Sequence, residues 1–170
     1  MPRTSVAVAR RTTHAVDSPV GTLTMIATDG VLSAMYMHEQ RHAPSPDTFG
    51  EPDPSAFGHV IEQVDAYFAR ELKEFDIPLA LSGTPFQLKV WAALQEIPYG
   101  ETSSYGELAA RIGQPGAARA VGLANGRNPV GIIVPCHRVV GADGKLVGYG
   151  GGLPRKERLL ALERGETTLV

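Results

Sequence analysis

The chain has 170 residues, enough for one domain or two small ones, and its 43% hydrophobic content is ordinary for a soluble globular protein. No apolar run approaches the roughly 18 residues needed to span a bilayer. The stretch Met1–Arg11 carries arginines but no apolar core of signal-peptide length, so a mobile tail on a cytoplasmic protein is expected. The single cysteine excludes an internal disulfide and a zinc site built from several thiolates. A net charge of −2 does not advertise nucleic-acid binding, but the charge is unevenly shared. Residues 1–83 hold six Lys and Arg against eleven Asp and Glu, whereas residues 84–170 hold ten against seven. The split suggests an acidic N-terminal part and a C-terminal part able to face phosphates. Ordinary surface arginines would give the same count.

Thr22–Thr28 and Val31–His38 are short apolar runs joined by Asp29-Gly30, a strong hairpin signal. Arg41–Pro54 has several prolines and no periodicity and reads as a loop. Asp53-Pro54 then opens a helix on which Phe57, Val60, Ile61, Val64, Phe68, Leu72 and Phe75 form one buried face. This first part, residues 1–83, is expected to be a structural α/β domain of antiparallel strands and one helix, with no visible chemistry. Thr84-Pro85-Phe86-Gln87 fits a capping box that starts a helix running to about Ile97. Ser104-Tyr105-Gly106-Glu107 fits a second box and opens a short helix ending near Gly113. Pro115-Gly116 turns the chain into a third helix, from Ala117 to about Ala124. Two short helices joined by a tight Gly/Pro turn are the helix-turn-helix arrangement. Gly131–Val134 reads as a short apolar strand, Ala142-Asp143-Gly144 as a turn, Gly150-Gly151-Gly152 as a flexible or closely approached loop, and Arg155–Arg164 as the final helix. The fold class is α+β, with residues 84–170 a mostly helical C-terminal domain.

Three features of the C-terminal part carry chemistry. Pro135-Cys136-His137-Arg138 puts the only cysteine beside a histidine. A lone cysteine is more often a small buried hydrophobe, but a histidine can take its proton, directly or through a water, and give the nucleophilic thiolate. Neighbours on an extended segment point to opposite sides, so a bridging water or a turn at Pro135 is required. The helix Ala117–Ala124 offers one arginine, Arg119, among small residues. That composition lets a backbone lie close to DNA without reading sequence, and equally suits a tightly packed core helix. Tyr105, at the start of the preceding helix, gains interest only beside these two.

The segment Val134-Pro135-Cys136-His137-Arg138-Val139-Val140 resembles the signature of the O6-alkylguanine-DNA alkyltransferases, the methylated-DNA–protein-cysteine methyltransferases. The likeness covers about residues 84–165. It includes Phe86-Gln87 with Val90-Trp91, Ile97-Pro98-Tyr99-Gly100, Ser104-Tyr105-Gly106, Ala118-Arg119-Ala120-Val121-Gly122, Asn128-Pro129 and Gly148-Tyr149 with Gly151-Gly152. The N-terminal part is similar in general pattern, including Phe75-Asp76, which implies a ribonuclease-H-like fold there.

The resemblance implies a direct-reversal repair protein. It would bind alkylated double-stranded DNA through the minor groove, flip out O6-alkylguanine or O4-alkylthymine, and move the alkyl group irreversibly to Cys136. By the same resemblance His137 acts as base through a water and Glu163 orients His137; lowering the thiol pKa would make the thiolate available near neutral pH. Asn128 organises the turn between the DNA-binding helix and the cysteine. Tyr105 bonds the guanine leaving group and crowds the target phosphate, and Arg119 fills the gap left by the flipped base on a surface of Ala118, Ala120 and Gly122. The carbonyls of Cys136 and Val139 accept from the guanine amino group, and Tyr149, Gly150 and Gly151 wall the pocket. No cofactor is implied, and the protein is expected to act as a monomer, with cooperation on DNA left open. Two departures stand out: the zinc site of some relatives has no cysteine to build it here, and Gly150 replaces a serine found in some of them. A non-catalytic helix-turn-helix regulator and a multiple-turnover cysteine hydrolase are the competing readings. Stoichiometric transfer from DNA separates them.

Overall fold

A computed structural model describes residues 9–166. The mobile tail expected for residues 1–11 falls largely outside that range, and its last residues are not a tail. Arg10 exchanges bonds with Asp29, whose amide donates to the Arg10 carbonyl at 2.8 Å and whose carboxylate accepts from the Arg10 amide at 2.9 Å. Arg11 begins a strand, β1 (Arg11–Val16). The hairpin follows as β2 (Leu23–Thr28) and β3 (Val31–Met37), antiparallel and turned by Asp29 and Gly30 at φ 49° and 81°. The sheet has the order β3-β2-β1-β4, where β4 (Glu51–Pro52) runs parallel to β1. The sheet is therefore mixed rather than purely antiparallel. β1 escapes a sequence reading because Arg-Thr-Thr-His-Ala-Val shows no apolar alternation; Thr12 is the buried member.

Asp53 caps only a single 3-10 turn, Pro54–Ala56, and the helix proper, α1, spans Gly58–Phe68. It ends earlier than its apolar pattern suggests. Arg70 takes φ 62°, its amide bonds the Tyr67 carbonyl at 3.1 Å, and the Glu71 amide bonds the Ala66 carbonyl at 2.8 Å. This is a Schellman close made without glycine. Leu72 and Phe75 lie beyond it, and the largest buried side chain of α1 is Tyr67, which the expected face omits.

The outer edge of β3 does not face solvent unpaired. The Ala80 amide donates to the Leu32 carbonyl at 2.8 Å, and Met35 exchanges bonds with Pro129 and Gly131 from the C-terminal half at 2.8 and 3.3 Å. A sheet edge left open invites foreign strands; here it fastens the two halves together.

The C-terminal half contains α2 (Pro85–Leu94), α3 (Tyr105–Arg111), α4 (Ala118–Gly126) and α5 (Leu153–Glu163), with a small parallel pair β5 (Ser103–Ser104) and β6 (Val139–Val140). The capping box at Thr84 forms both its bonds, at 3.1 and 3.0 Å. The second box forms half. Ser104 accepts from the Glu107 amide at 3.1 Å, but the Glu107 carboxylate turns to the Ser103 hydroxyl at 3.2 Å. The Trp91 indole donates to the Ala124 carbonyl at 2.9 Å and locks α2 to α4, and Gly83 leaves room for that ring, since a Cβ there would lie 2.7 Å from it. The expected strand at Gly131–Val134 is instead a tight turn with Ile132 at φ 73°. Its apolar residues are buried because the turn is internal, which a strand and an interior turn share as a sequence pattern. Among the described residues no helix is long and apolar enough to cross a membrane.

Replacing Thr84 by alanine removes the hydroxyl that accepts from the Gln87 amide and leaves the bond from the Thr84 backbone amide to Gln87 in place. Thr84→Ala is expected to lower stability by about 1 kcal/mol, read as a lower urea midpoint at unchanged slope. An unmoved midpoint would mean that the cap contributes nothing.

Candidate active site

Asn128 is buried and shapes the turn that leads to the cysteine. Its amide nitrogen donates to the Val134 carbonyl at 2.8 Å, and its oxygen accepts from the Val130 amide at 3.1 Å. The chain then enters a 3-10 turn, Cys136–Arg138, rather than continuing extended. Pro135 at φ −81° and ψ 64° sets the bend. The obstacle of neighbouring side chains on opposite faces therefore does not arise in its extended form.

The next element supplied is a carboxylate. Glu163, at the end of α5, is buried and collects five donors. Its Oε2 accepts from His137 Nε2 at 2.6 Å, Tyr67 Oη at 2.6 Å and Arg138 Nη2 at 3.1 Å. Its Oε1 accepts from Arg138 Nε at 2.8 Å and, more weakly, from the Gly100 amide at 3.4 Å. Arg138 grips both oxygens in a fork and anchors its remaining nitrogen on the Ile97 carbonyl at 2.6 Å.

This crowd of donors decides the protonation states. The Glu163 carboxyl drops to about 2, because the bonds and charges of His137 and Arg138 outweigh the cost of burying it. Glu163 is therefore an anion, and the nitrogen of His137 that faces it carries the proton. His137 is fully buried, which pushes its pKa down despite the carboxylate; the nearby charges of Arg138 and Lys156 push the same way. The imidazole is neutral, and its other nitrogen, Nδ1, is a bare acceptor, buried and without a partner among the described residues. Burial raises the Cys136 thiol, an effect only partly offset by Asn128 and the charge of Lys156. The expectation of a lowered thiol pKa is thus not met in the resting site, because a thiolate there would be desolvated before it gained enough partners.

Lys156 is fully buried on α5, and desolvation brings it down to about 8. Its ammonium is held by the carbonyls of Val139, Val147 and Gly148. The Cys136 carbonyl accepts from the Val139 amide and, at 3.5 Å, from Asn125. Both carbonyls expected to meet a guanine amino group therefore already hold a donor, and a guanine would add to or displace one.

A cavity of about 250 Å³ lies between Tyr105, Gly122, Asn125, Tyr149 and Gly150, closed on one side by Arg41 and His42 of the N-terminal half. Tyr105 and Tyr149 are both raised, by burial first and by the Cys136 charge second, so both remain donors near neutral pH. The Tyr105 hydroxyl rests on the Val147 carbonyl at a long 3.4 Å. Gly122 gives its ring a seat: a Cβ there would touch it at 3.7 Å. Gly151 is closely approached, as a Cβ would collide with the Met37 sulfur and sit 2.8 Å from the Tyr149 ring. Gly150 faces the Gln40–Arg41 loop, whose amide at Arg41 bonds its carbonyl at 2.8 Å. On α4, Arg119 and Ala120 are exposed and Ala118 half-buried. Leu123 is 70% exposed on the same helix, and Arg127 follows it, exposed, at the helix end.

Two family models together span nearly the whole chain. The 6-O-methylguanine DNA methyltransferase ribonuclease-like domain matches residues 12–81, and the DNA binding domain of the same family matches residues 85–165. The chain belongs to the 6-O-methylguanine DNA methyltransferase family. Among relatives of this family member, the methylated-DNA–protein-cysteine methyltransferase of Mycolicibacterium paratuberculosis is 62% identical over 88% of this chain and 90% of that protein. The protein of the same name from Methanosarcina acetivorans is 52% identical over 86% of this chain and 94% of its own length. The fold superposes on the crystal structure of Mycobacterium tuberculosis OGT in complex with DNA with a TM-score of 0.87 and 58% identity, covering 91% of this chain and 93% of that one.

The structure brings Cys136, His137, Glu163 and Asn128 into one buried cluster and sets Tyr105, Tyr149 and Gly150 around the adjoining cavity. Sequence reasoning assigned no role to Arg138, Lys156 or Tyr67. Arg138 stood inside the signature itself and could have been found there. Lys156 is one charge among several on an amphipathic helix, and Tyr67 lies 96 positions from its partner, so neither carries a local signal.

Glu163 holds a depressed pKa, from 4.5 down to about 2, so its stabilisation is complete above the unfolded value and is lost as the pH falls toward the folded one. Glu163→Gln strands the Arg138 charge and is expected to cost about 3–5 kcal/mol near pH 7. The unmodified chain should lose stability steeply from about pH 5 to about pH 2, and the variant should lack that component. Thermal unfolding of both across this range checks it; parallel curves would show that Glu163 does not titrate as an isolated depressed acid.

Proposed function

We propose that the chain repairs O6-alkylguanine in DNA by transferring the alkyl group once, irreversibly, to Cys136. The observation that carries this reading is the sole cysteine, placed next to a neutral histidine that Glu163 orients and whose Nδ1 is an open, buried acceptor. The names of close relatives and the DNA held by a solved one support it. Residues 84–170 bind DNA and carry the reaction, and residues 1–83 brace them. The protein works as a cytoplasmic monomer and needs no cofactor.

The target carbon lies inside a duplex, so the nucleotide is first rotated out, at a cost of a few kcal/mol. Arg119 offsets part of that cost by entering the stack. Its helix, with Ala118, Ala120 and Gly122, lets the backbone lie against the minor groove. Leu123 and Arg127 extend the exposed surface offered to the groove. The guanine occupies the cavity between Tyr105 and Tyr149 that Gly150 lines, with Gly151 packed behind the Tyr149 ring and the Val139 carbonyl as a further acceptor. His137 Nδ1 takes the thiol proton, directly or through a water. The thiolate then displaces guanine at the alkyl carbon: the sulfur–carbon bond forms as the carbon–oxygen bond breaks, and the electron pair leaves with guanine. Tyr105, kept protonated by its raised pKa, donates to that departing anion. A raised thiol pKa makes deprotonation part of the encounter rather than a resting condition. The product is a thioether, which water does not cleave, so each molecule acts once.

One equivalent of duplex carrying O6-methylguanine is expected to add one methyl mass to the peptide containing Cys136, and Cys136→Ser to abolish transfer. Repeated repair by one molecule would overturn the single-use reading, and hydrolysis of small esters without DNA would favour a hydrolase. Arg119→Ala tests base extrusion separately. It should slow transfer from duplex at least about tenfold, the scale of a lost interaction of 1–2 kcal/mol, and slow transfer from the free modified base far less. Equal losses on the two substrates would remove the finger role.

A further inference from the structure

The mechanism reaches Glu163 through His137 and gives no part to the residue by which the N-terminal half touches the same carboxylate. Tyr67 occupies the last turn of α1 and is fully buried. Its ring packs edge-on against Phe68 and Tyr99, at centroid distances of 5.2 and 6.1 Å. Phenylalanine would serve that packing equally well. The hydroxyl is what packing leaves unexplained, and it donates at 2.6 Å to Glu163 Oε2, the oxygen that also takes the His137 proton at 2.6 Å.

Donors that share one oxygen compete for its electron density. The tyrosine hydroxyl and the Arg138 fork draw on the carboxylate charge, which weakens the pull that works against the burial keeping His137 neutral. A cation at His137 could not accept the thiol proton. The hydroxyl also restrains the carboxylate from the side opposite in sequence, tying α1 to α5. A second bond, from the Arg70 guanidinium to the Glu166 carbonyl, joins the same two helices at their ends.

We infer that Tyr67 is a positioning residue for the transfer reaction: its hydroxyl holds the Glu163 carboxylate in place and shares its charge, so that His137 is oriented yet stays a free base beside Cys136. The inference rests on the alkyl-transfer reading above. Other ionisable groups face this pair from every side. They are Tyr99 after α2, with Arg70 near it, Cys136 and Arg138 on the 3-10 turn, Tyr149 in the loop before α5, and Lys156 on α5. Tyr67→Phe leaves all their charges as they are and removes one neutral donor.

The test is Tyr67→Phe, with transfer from methylated duplex measured across pH, the His137 ring followed by nitrogen NMR, and duplex affinity measured alongside. Loss of the donor concentrates charge on Oε2 and favours the imidazolium. The His137 titration and the acid limb of the transfer rate should both move to higher pH, by about half a unit to one unit, with transfer slowed about three- to tenfold on that limb. Duplex affinity should hold. A lower rate or melting temperature with an unmoved pH profile would reduce Tyr67 to packing and overturn the inference. Should the phenylalanine variant fail to fold, site-specific Tyr67→fluorotyrosine decides instead. It is a stronger donor of nearly the same shape, so both titrations should move to lower pH, and no shift overturns the inference. Absence of transfer by the unmodified chain overturns the functional reading and the role in transfer with it. Normal transfer with an unmoved Tyr67→Phe profile overturns this inference alone.

Discussion

The organisation of the molecule turns on one buried carboxylate. Glu163 sits where α5 ends, yet its donors come from α1, from the turn after α2 and from the 3-10 turn that holds the cysteine. A buried anion is costly unless its lone pairs are filled and its charge is balanced. Filling them forces four stretches of chain to converge, and the convergence places His137 next to Cys136 with a defined proton position. Electrostatic satisfaction and site assembly are the same event here. The geometry of the base is not a local property of the Pro-Cys-His-Arg segment, which supplies the groups but not their orientation.

The elements legible in sequence are those whose signals are local. Thr84 and Gln87 cap α2 with the spacing that capping requires, and Asp29-Gly30 turns its hairpin as that dipeptide should. The cluster around Cys136 was legible as a set of residue types, through resemblance more than through physics. What escaped was set by distant contacts. β1 lacks alternation since its neighbours on both sides satisfy it by backbone pairing. Gly131–Val134 reads as a strand because interior turns and buried strands share apolar composition, and only Asn128 and Met35 show which one forms. α1 stops at an arginine in a left-handed conformation, where no glycine marks the end.

The N-terminal half, expected to be structural support, touches the C-terminal half at three places beside the candidate site. Through Met35 it bonds the turn that precedes the cysteine, through Tyr67 it reaches the Glu163 carboxylate, and through Arg41 and His42 it lines the cavity beside Tyr105 and Tyr149. Each link crosses between the halves, and each ends on the buried cluster around Cys136 or on the cavity beside it. Lys156 adds a fourth constraint from within the C-terminal half, pinning the Val139 carbonyl to the loop that carries Tyr149.

The burial of Cys136, only 7% exposed and with its thiol pushed up, has a consequence beyond the repair step. Oxidants and stray electrophiles in solution react with exposed thiolates far faster than with enclosed thiols. If Cys136 acts once, as proposed, an accidental encounter would spend the molecule. The closed, protonated resting state would then act as a safety catch, withholding the thiol from whatever diffuses past.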